Sequence, residues 1–162
     1  MTTRRLAGHD YRGEGSYFVT ICTDRRKMLF VEPEVVGILE GIWAEVPKHF
    51  TNAKTDVFVV MPNHVHGVVH LDEPVVVWHA KPLQVGVSPG SLGAIVGSFK
   101  SAVTRELHIQ GLADGPVWQR NYWDRVIRNE DELNRIRQYI AFNPIAWEFD
   151  HENPERNADD AL

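Results

Sequence analysis

Two short segments of the chain carry side chains that could act together, one as half of a metal site and one as a nucleophile. His64 and His66 flank Val65 inside a strand-like apolar run. Residues two apart in a strand project from the same face, so the two imidazoles lie side by side, about 7 Å apart along the backbone. Together they could bind one divalent cation. Such a pair alone predicts little, because two packed structural histidines would look the same.

The second segment is a helix that places Tyr139 one turn before Asn143, with Arg135 one turn earlier on the same face. An amide oxygen can coordinate a hard cation, and a tyrosine hydroxyl can act as a nucleophile. A tyrosine beside an apolar helix stripe more often simply packs, with its hydroxyl in water. Taken alone, the helix therefore leaves both interpretations open.

A third histidine bears on the class of site. His70 shares a strand face with His64 and His66 but lies farther along, and we interpret it as a surface or supporting histidine. A small-nucleotide phosphodiesterase with three clustered histidines would need the third at position 68, which is Val68. The spacing therefore disfavours that class of enzyme.

Length and composition indicate a soluble globular protein. The chain has 162 residues, of which 43% are hydrophobic and 24% charged, and this is enough to bury a core without disulfides. We expect one domain over residues 1–150, with a basic arm at 1–15 and an acidic, frayed tail at 151–162. No apolar run approaches the roughly 20 residues that a bilayer needs, and no signal peptide is recognisable. The lone Cys22 suits a reducing compartment, so we expect the cytoplasm.

Hydrophobic periodicity and turn residues predict four strands and three helices. The predicted strands are 16–23, 55–61, 64–71 and 117–127, and the helices begin at Pro33, after Ser91 and after Asn129. Asn129 and Glu132 have the spacing of a capping box, and Asn143-Pro144 ends the third helix. Gly93 and Gly97 suggest that the second helix approaches the sheet closely. The order β-α-β-β-α-β-α predicts a ferredoxin-like α+β fold, with an antiparallel sheet, helices on one side and an added C-terminal helix.

The charge distribution restricts any nucleic-acid partner to a narrow path. A net charge of −5 argues against indiscriminate coating of DNA, although the first 30 residues carry six basic and three acidic side chains. The candidate contacts are Arg4, Arg5 and Arg12 in the arm, residues 25–27, Lys100 and Arg105 on the second helix, and Arg120, Tyr122, Arg125 and Arg128 near the fourth strand. Each charge alone is more often a solvated surface group. Arginine beside aromatic rings is nevertheless typical of single-strand binding.

Several separated motifs occur in an order that resembles one known family. They are YFVTICT, MPNHVHGVV, SLGAIVGSFKSAVTR and VWQRNYWDRVIRNEDELNRIRQYIAFNP, within residues 11–147. In these motifs the chain resembles the REP-associated tyrosine transposases, a group of the single-tyrosine HUH transposase superfamily. The resemblance implies that His64 and His66 bind metal, that Tyr139 is the nucleophile, and that Asn143 is a further ligand. It also implies Mg²⁺ or Mn²⁺ as cofactor.

The resemblance further implies a reaction and a substrate. We expect a metal-dependent endonuclease and strand transferase that acts on single-stranded, hairpin-forming repeats through a 5′-phosphotyrosine intermediate, with the arm helping to recognise a tetranucleotide beside the hairpin. The alternative is a domesticated protein that binds hairpin DNA without cutting it. We expect a monomer, because the repeat-associated group resembles monomers. A dimer is the alternative, because related self-mobilising transposases exchange the tyrosine helix between two subunits.

Overall fold

The computed structural model describes residues 14–72, 90–150 and 153. Its regular elements are β1 (Gly15–Cys22), α1 (Pro33–His49), β2 (Ala53–Met61), β3 (His64–Leu71), α2 (Leu92–Ile109), β4 (Trp123–Ile127) and α3 (Glu130–Phe142), with short 3₁₀ turns at Asp24–Arg26 and Trp147–Phe149. Most of the predicted arm, the predicted loop between β3 and α2, and most of the predicted tail lie outside the described residues.

The four strands form one sheet in the order β2-β3-β1-β4, and every neighbouring pair is antiparallel. With the helices in their places along the chain, this is the ferredoxin-like α+β arrangement predicted from the sequence. The inner strands are β1 and β3, so β3 is hydrogen-bonded on both sides. A side chain on β3 is therefore held on a backbone with neighbours along its whole length.

The first face of the sheet carries the larger apolar cluster. Here α1 and α2 pack on the alternate residues of β1 and β3 that include Val19 and Val65, both fully buried. The ring of Trp43 from α1 stacks on Phe58 at 4.6 Å between centroids. The backbone of Gly67 in β3 lies directly under this indole. This layer is the main hydrophobic core of the described residues.

The second face carries α3 and a smaller cluster. Its buried members are Phe18, Val68, Ile127, Leu133 and Ile140. Because side chains alternate along a strand, the β3 residues on this face are those of even number from 64 to 70. The predicted metal half-site and the predicted tyrosine helix therefore occupy the same face of the sheet, opposite α1 and α2.

Three details differ from the sequence predictions. Strand β4 begins at Trp123 instead of 117, because the preceding chain turns through Asn121, whose φ is +67°, and only Trp118 makes an isolated bridge, to Thr23. The predicted capping box at α3 is shifted by one residue. Asn129 accepts from Glu132 N at 2.8 Å, but the Glu132 carboxylate accepts from Arg128 N.

The third difference concerns the second helix. A Cβ at Gly97 would meet no atom within 4 Å, so the expected close approach of α2 to the sheet at this glycine is wrong. Among the described residues, no helix combines the length and the apolar character that crossing a lipid bilayer requires.

Candidate active site

The two histidines of β3 converge on one point beneath α3. His64 is completely buried and His66 is 5% exposed. Their Nε2 atoms lie 3.1 Å apart. Two ligands held ~2.1 Å from one ion at tetrahedral or octahedral angles are themselves about 3.0–3.4 Å apart. The spacing of the two nitrogens is therefore that of neighbouring ligands on a single cation.

Outer hydrogen bonds orient both rings. His64 Nδ1 lies 2.8 Å from the amide oxygen of Asn63, which can only accept, so this nitrogen donates. His66 Nδ1 is paired with Thr20 Oγ1 at 2.8 Å. With Nδ1 protonated in each ring, the two Nε2 lone pairs face each other, as they do in metal-binding histidines whose other nitrogen is held by the protein. The same spacing also suits one proton shared between the two Nε2 atoms. A metal-binding measurement distinguishes a shared proton from a bound cation.

Tyr139 of α3 lies next to this pair. Its ring centroid is 5.5 Å from that of His66, and both rings also contact Phe18, at 6.1 Å and 5.2 Å respectively. The side chain is 48% exposed, in contrast to the two buried histidines. The structure thus brings together the two segments that the sequence singled out. One side of the tyrosine ring faces the site, and the residue remains accessible to a large substrate.

Asn143 caps the C-terminal end of α3 and is 4% exposed. Its amide nitrogen is buried with no hydrogen-bond partner. Four residues later, the ring of Trp147 lies 6.1 Å from His64, so the chain after α3 passes over the histidine pair. A buried N–H donor without a partner is costly, and an acceptor such as a phosphate oxygen bound at the site would relieve that cost. A cation would instead be bound by the amide oxygen of Asn143, and two imidazoles with an amide oxygen form a donor set that fits a divalent cation.

A second polar group ties the middle of α3 to the sheet. Asp56 Oδ2 accepts from Arg137 Nη2 at 2.6 Å and from Arg137 Nε at 3.1 Å, and it lies 3.1 Å from His70 Nε2. His70 Nδ1 is in turn 2.6 Å from Ser16 Oγ. Burial raises the pKa of Asp56, but the hydrogen bonds from Arg137 and His70 outweigh it, so its pKa lies below the ordinary value. We call this group the Asp56 clasp.

The Asp56 clasp explains why His70, the third histidine of β3, does not join the pair. His70 is committed to Asp56 and Ser16, away from the Nε2 pair. Val68, where a third clustered histidine would stand, is fully buried in the smaller apolar cluster. Within the described ranges, no three His, Cys, Asp or Glu side chains are grouped so as to hold a metal ion. The three-histidine phosphodiesterase class gains no support from the structure.

The predicted DNA contacts fall in different places. Arg4, Arg5 and Arg12 lie outside the described residues. Lys100 and Arg105 are on α2, on the sheet face opposite Tyr139. Burial lowers the pKa of Lys100, and its ammonium donates to Gln119 O at 2.8 Å and Asn121 O at 3.1 Å. This lysine holds the loop before β4, which does not favour a role in binding DNA.

Arg120 is exposed in that loop, whereas Tyr122 packs against the larger apolar cluster. The neighbouring Trp123 instead faces α3, next to Phe18. Together with Arg125, Trp123 lines a cavity beside Tyr139. Sequence reasoning named Arg125 only as one of several candidate DNA contacts near the fourth strand. The register of β4 was the missing signal, since alternation from Trp123 puts Arg125 on the α3 face.

Comparisons with known proteins agree with this fold. No model of a known protein family matches the chain. An uncharacterised protein of Haemophilus influenzae is 35% identical over 162 residues, covering 90% of this chain and 89% of the relative. A second protein of the same organism, provisionally named a REP-associated tyrosine transposase, is 21% identical over 145 residues, covering 84% and 73% of the two chains.

Solved structures give the same fold. A REP-associated tyrosine transposase bound to a REP hairpin superposes with a TM-score of 0.64 at 21% identity, covering 91% of this chain and 74% of that one. A provisionally named transposase from Deinococcus radiodurans superposes with a TM-score of 0.50 at 22% identity, covering 87% and 96%.

Fold and site together define a ferredoxin-like domain with paired histidines on an inner strand and a tyrosine on the helix above them. The chain belongs to one family with the 35% identical protein of Haemophilus influenzae. Its resemblance to the REP-associated tyrosine transposases, first indicated by sequence motifs, is confirmed.

Proposed function

We propose that this protein is a metal-dependent, single-strand-specific DNA endonuclease and strand transferase that acts on hairpin-forming repeats through Tyr139. The observation that carries the proposal is the juxtaposition of the two Nε2 atoms, 3.1 Å apart, with the Tyr139 ring 5.5 Å from His66. The likeness to a transposase solved with a REP hairpin supports the choice of substrate.

His64 and His66 would hold Mg²⁺ or Mn²⁺ from the sheet side, with Asn143 as a further ligand. When bound, such an ion polarises a phosphate oxygen and orients the scissile bond. Imidazole and amide donors also accept Zn²⁺, so availability and geometry, not ligand identity, decide which ion the site holds. Because both histidines are buried on an inner strand, the ligand half of the site is preorganised before DNA arrives.

Tyr139 supplies the reacting hydroxyl. Its oxygen attacks the phosphorus, the bond to the 3′-oxygen breaks, and the strand carries a 5′-phosphotyrosine on one side and a free 3′-hydroxyl on the other. The phenolic proton is lost as the new bond forms, and the departing 3′-oxygen takes up a proton. A free phenol ionises near pH ~10, so its deprotonation must be assisted at neutral pH. A second 3′-hydroxyl can reverse the step and join two strands without ATP.

The remaining expectations accompany this proposal. Arg4, Arg5 and Arg12 would contact bases beside the hairpin, Arg120 would contact the strand, and the enzyme would act in the cytoplasm as a monomer. Salt dependence of binding tests a contact of Arg120 with the strand backbone, and the sequence preference of binding tests the arginines of the arm. Each phosphate contact that a charge-removing substitution deletes reduces the slope of log affinity against log salt by about 1.

The decisive experiment is a covalent-adduct assay. Hairpins with randomised single-stranded flanks are selected for binding, labelled, and incubated with the protein and Mn²⁺. We expect a denaturation-resistant protein–DNA adduct that Tyr139→Phe abolishes. Tyr17→Phe removes the same hydroxyl from the opposite face of the sheet and is the matched control. An adduct that persists in Tyr139→Phe would exclude this tyrosine, and tight binding without cleavage under any divalent ion would favour the domesticated hairpin-binding protein.

A further inference from the structure

A cavity of about 350 Å³ opens beside Tyr139, between β1, β4 and α3. Its floor is the ring of Phe18, which contacts Trp123 at 5.7 Å and Tyr139 at 6.1 Å between centroids. The interplanar angles are 77° and 88°, so both neighbouring rings stand edge-on to Phe18. The cavity therefore has an aromatic floor and two upright aromatic walls, one of which belongs to the proposed nucleophile.

Charged groups complete the lining. Arg125 Nη2 lies 2.6 Å from Glu132 Oε1, and the other carboxylate oxygen accepts from Arg128 N at 2.9 Å. The Glu132 side chain is 10% exposed and that of Arg125 is 60% exposed, so the carboxylate forms the inner partner. The hydrogen bond from Arg128 N lowers the pKa of Glu132 more than burial raises it, which keeps the carboxylate ionised at neutral pH.

This ion pair positions Arg125 without occupying all of its donors. A guanidinium has five N–H groups in a rigid plane, and the contact with Glu132 Oε1 leaves others to meet a ligand. Arg135 of α3 also lines the cavity and is exposed. The site thus presents flat apolar walls with cationic hydrogen-bond donors at one side.

We propose that this cavity takes one unpaired nucleobase from a nucleotide beside the bond that Tyr139 attacks, with Trp123 as its stacking surface and Arg125 at its polar edge. The proposal rests on the proposed function above. Ligand pockets begin at roughly 300 Å³, so the cavity has the size for one small aromatic group. Aromatic walls stack on any base, and arginine donors suit the acceptor atoms on base edges.

The cavity lies where a bound base could position the DNA strand relative to Tyr139. A nucleotide whose base turns out of the strand into this cavity has its sugar and phosphates at the cavity mouth. The mouth adjoins the face of α3 that carries Tyr139. Capture of the base would thus fix which phosphate lies at the phenol, so Trp123 and Arg125 act as positioning residues.

The test is an abasic scan with matched variants. Hairpins with randomised flanks are selected by binding to the full chain in EDTA, where no cleavage occurs. In one selected hairpin, each flank position is then made abasic in turn, and affinity is measured for wild type, Trp123→Leu and Phe149→Leu. Leucine at 123 keeps an apolar contact with Phe18. Phe149 is 65% exposed and does not line the cavity, so it controls for loss of an exposed aromatic ring.

We expect one abasic position to weaken binding by about 5- to 150-fold in wild type and Phe149→Leu, the range caused by losing a stacked base. In Trp123→Leu the same position is expected to matter by less than about 2-fold, because the stacking partner is already gone. Arg125→Gln is expected to alter which base is preferred there. Equal abasic effects in all three proteins, or no sensitive position, would overturn the proposal.

The adduct assay on the selected hairpin keeps the two proposals separate. A Tyr139-dependent adduct without a Trp123-dependent abasic effect refutes the base-binding cavity and leaves the nuclease standing. A Trp123-dependent abasic effect without any adduct supports base capture by a protein that does not cut.

Discussion

Replacing Gly67 with alanine tests how the strand that carries the histidine pair is supported on its other face. Gly67 follows His66 in β3 and faces the larger apolar cluster. A Cβ at this position would lie 2.6 Å from Trp43 Cζ2, 2.8 Å from Trp43 Cη2 and 3.1 Å from Phe58 Cδ2. The indole cannot simply retreat, because it stacks on Phe58 and packs edge-on against Phe99 at 5.3 Å. The strand, the ring or both must therefore move.

The size of the effect follows from these distances. Carbon atoms in contact prefer about 3.5–4.0 Å, so the closest pair is nearly 1 Å too short. Overpacking of this kind costs typically ~1–3 kcal/mol, and we expect the upper part of that range because two stacked rings resist the shift. In a chain of this length each kcal/mol lowers the melting temperature by about 2–4 °C, so Gly67→Ala is expected to lose roughly 4–12 °C.

The assay is thermal unfolding followed by circular dichroism, with the same substitution at Gly97 as control. Gly97 lies in α2 with nothing within 4 Å of the added carbon. Alanine is preferred over glycine inside a helix by ~1 kcal/mol, so Gly97→Ala is expected to raise the melting temperature. The two identical chemical changes therefore have opposite predicted signs.

A double-mutant cycle identifies the cause of the loss. Trp43→Phe removes the part of the ring that holds Cζ2 and Cη2, so Gly67→Ala is expected to cost less in that background than in the wild type. An unchanged or higher melting temperature for Gly67→Ala alone would refute the packing of Trp43 against β3. A cost that is equal in both backgrounds would refute the indole as its source.

Three further perturbations test the second face of the sheet. Asp56→Asn removes a carboxylate whose pKa is lowered by Arg137 and His70. The substitution is expected to reduce the free energy of unfolding by its full amount above about pH 5, and by less as acid protonates the carboxylate of the wild type. A reduction that grows in acid would contradict the Asp56 clasp. Mn²⁺ at ~100 times its dissociation constant is expected to stabilise wild type by about 2.7 kcal/mol and to leave His66→Ala unchanged in thermal unfolding. Asn129→Ala removes the cap bond to Glu132 N, and a fall of about 2–4 °C is expected in the same assay, whereas no change would mean that the cap is dispensable.

Local sequence signals were enough to predict most of the fold. β-branched runs, turn residues and the caps at Ser91 and Asn129 each act over a few residues, and each element they predict is present. The order of these elements along the chain then predicted the ferredoxin-like sheet. The fourth strand was predicted too long because a left-handed residue at Asn121 redirects the chain there. A sequence pattern does not reveal such a backbone conformation at a non-glycine residue.

Side-chain partners at long range were less predictable. The facing of His64 and His66 follows from strand alternation, but their Nε2 separation depends on Thr20 and Asn63, one of them on a different strand. The glycine that marks a close approach is Gly67, not Gly97, because the indole that covers it comes from α1. The cavity beside Tyr139 needs the register of β4 against β1, which a single sequence does not specify.

The histidine pair and the tyrosine helix are anchored by packing of unequal extent. The imidazoles are fixed to an inner strand beneath the main core, whereas α3 is held by five buried apolar residues and the Asp56 clasp. We therefore expect transient lifting of this helix to require less free energy than global unfolding, and amide exchange in α3 to outpace that in β3. On the proposed function, a DNA strand could then be admitted or released by displacing the phenol while the histidine pair keeps its position.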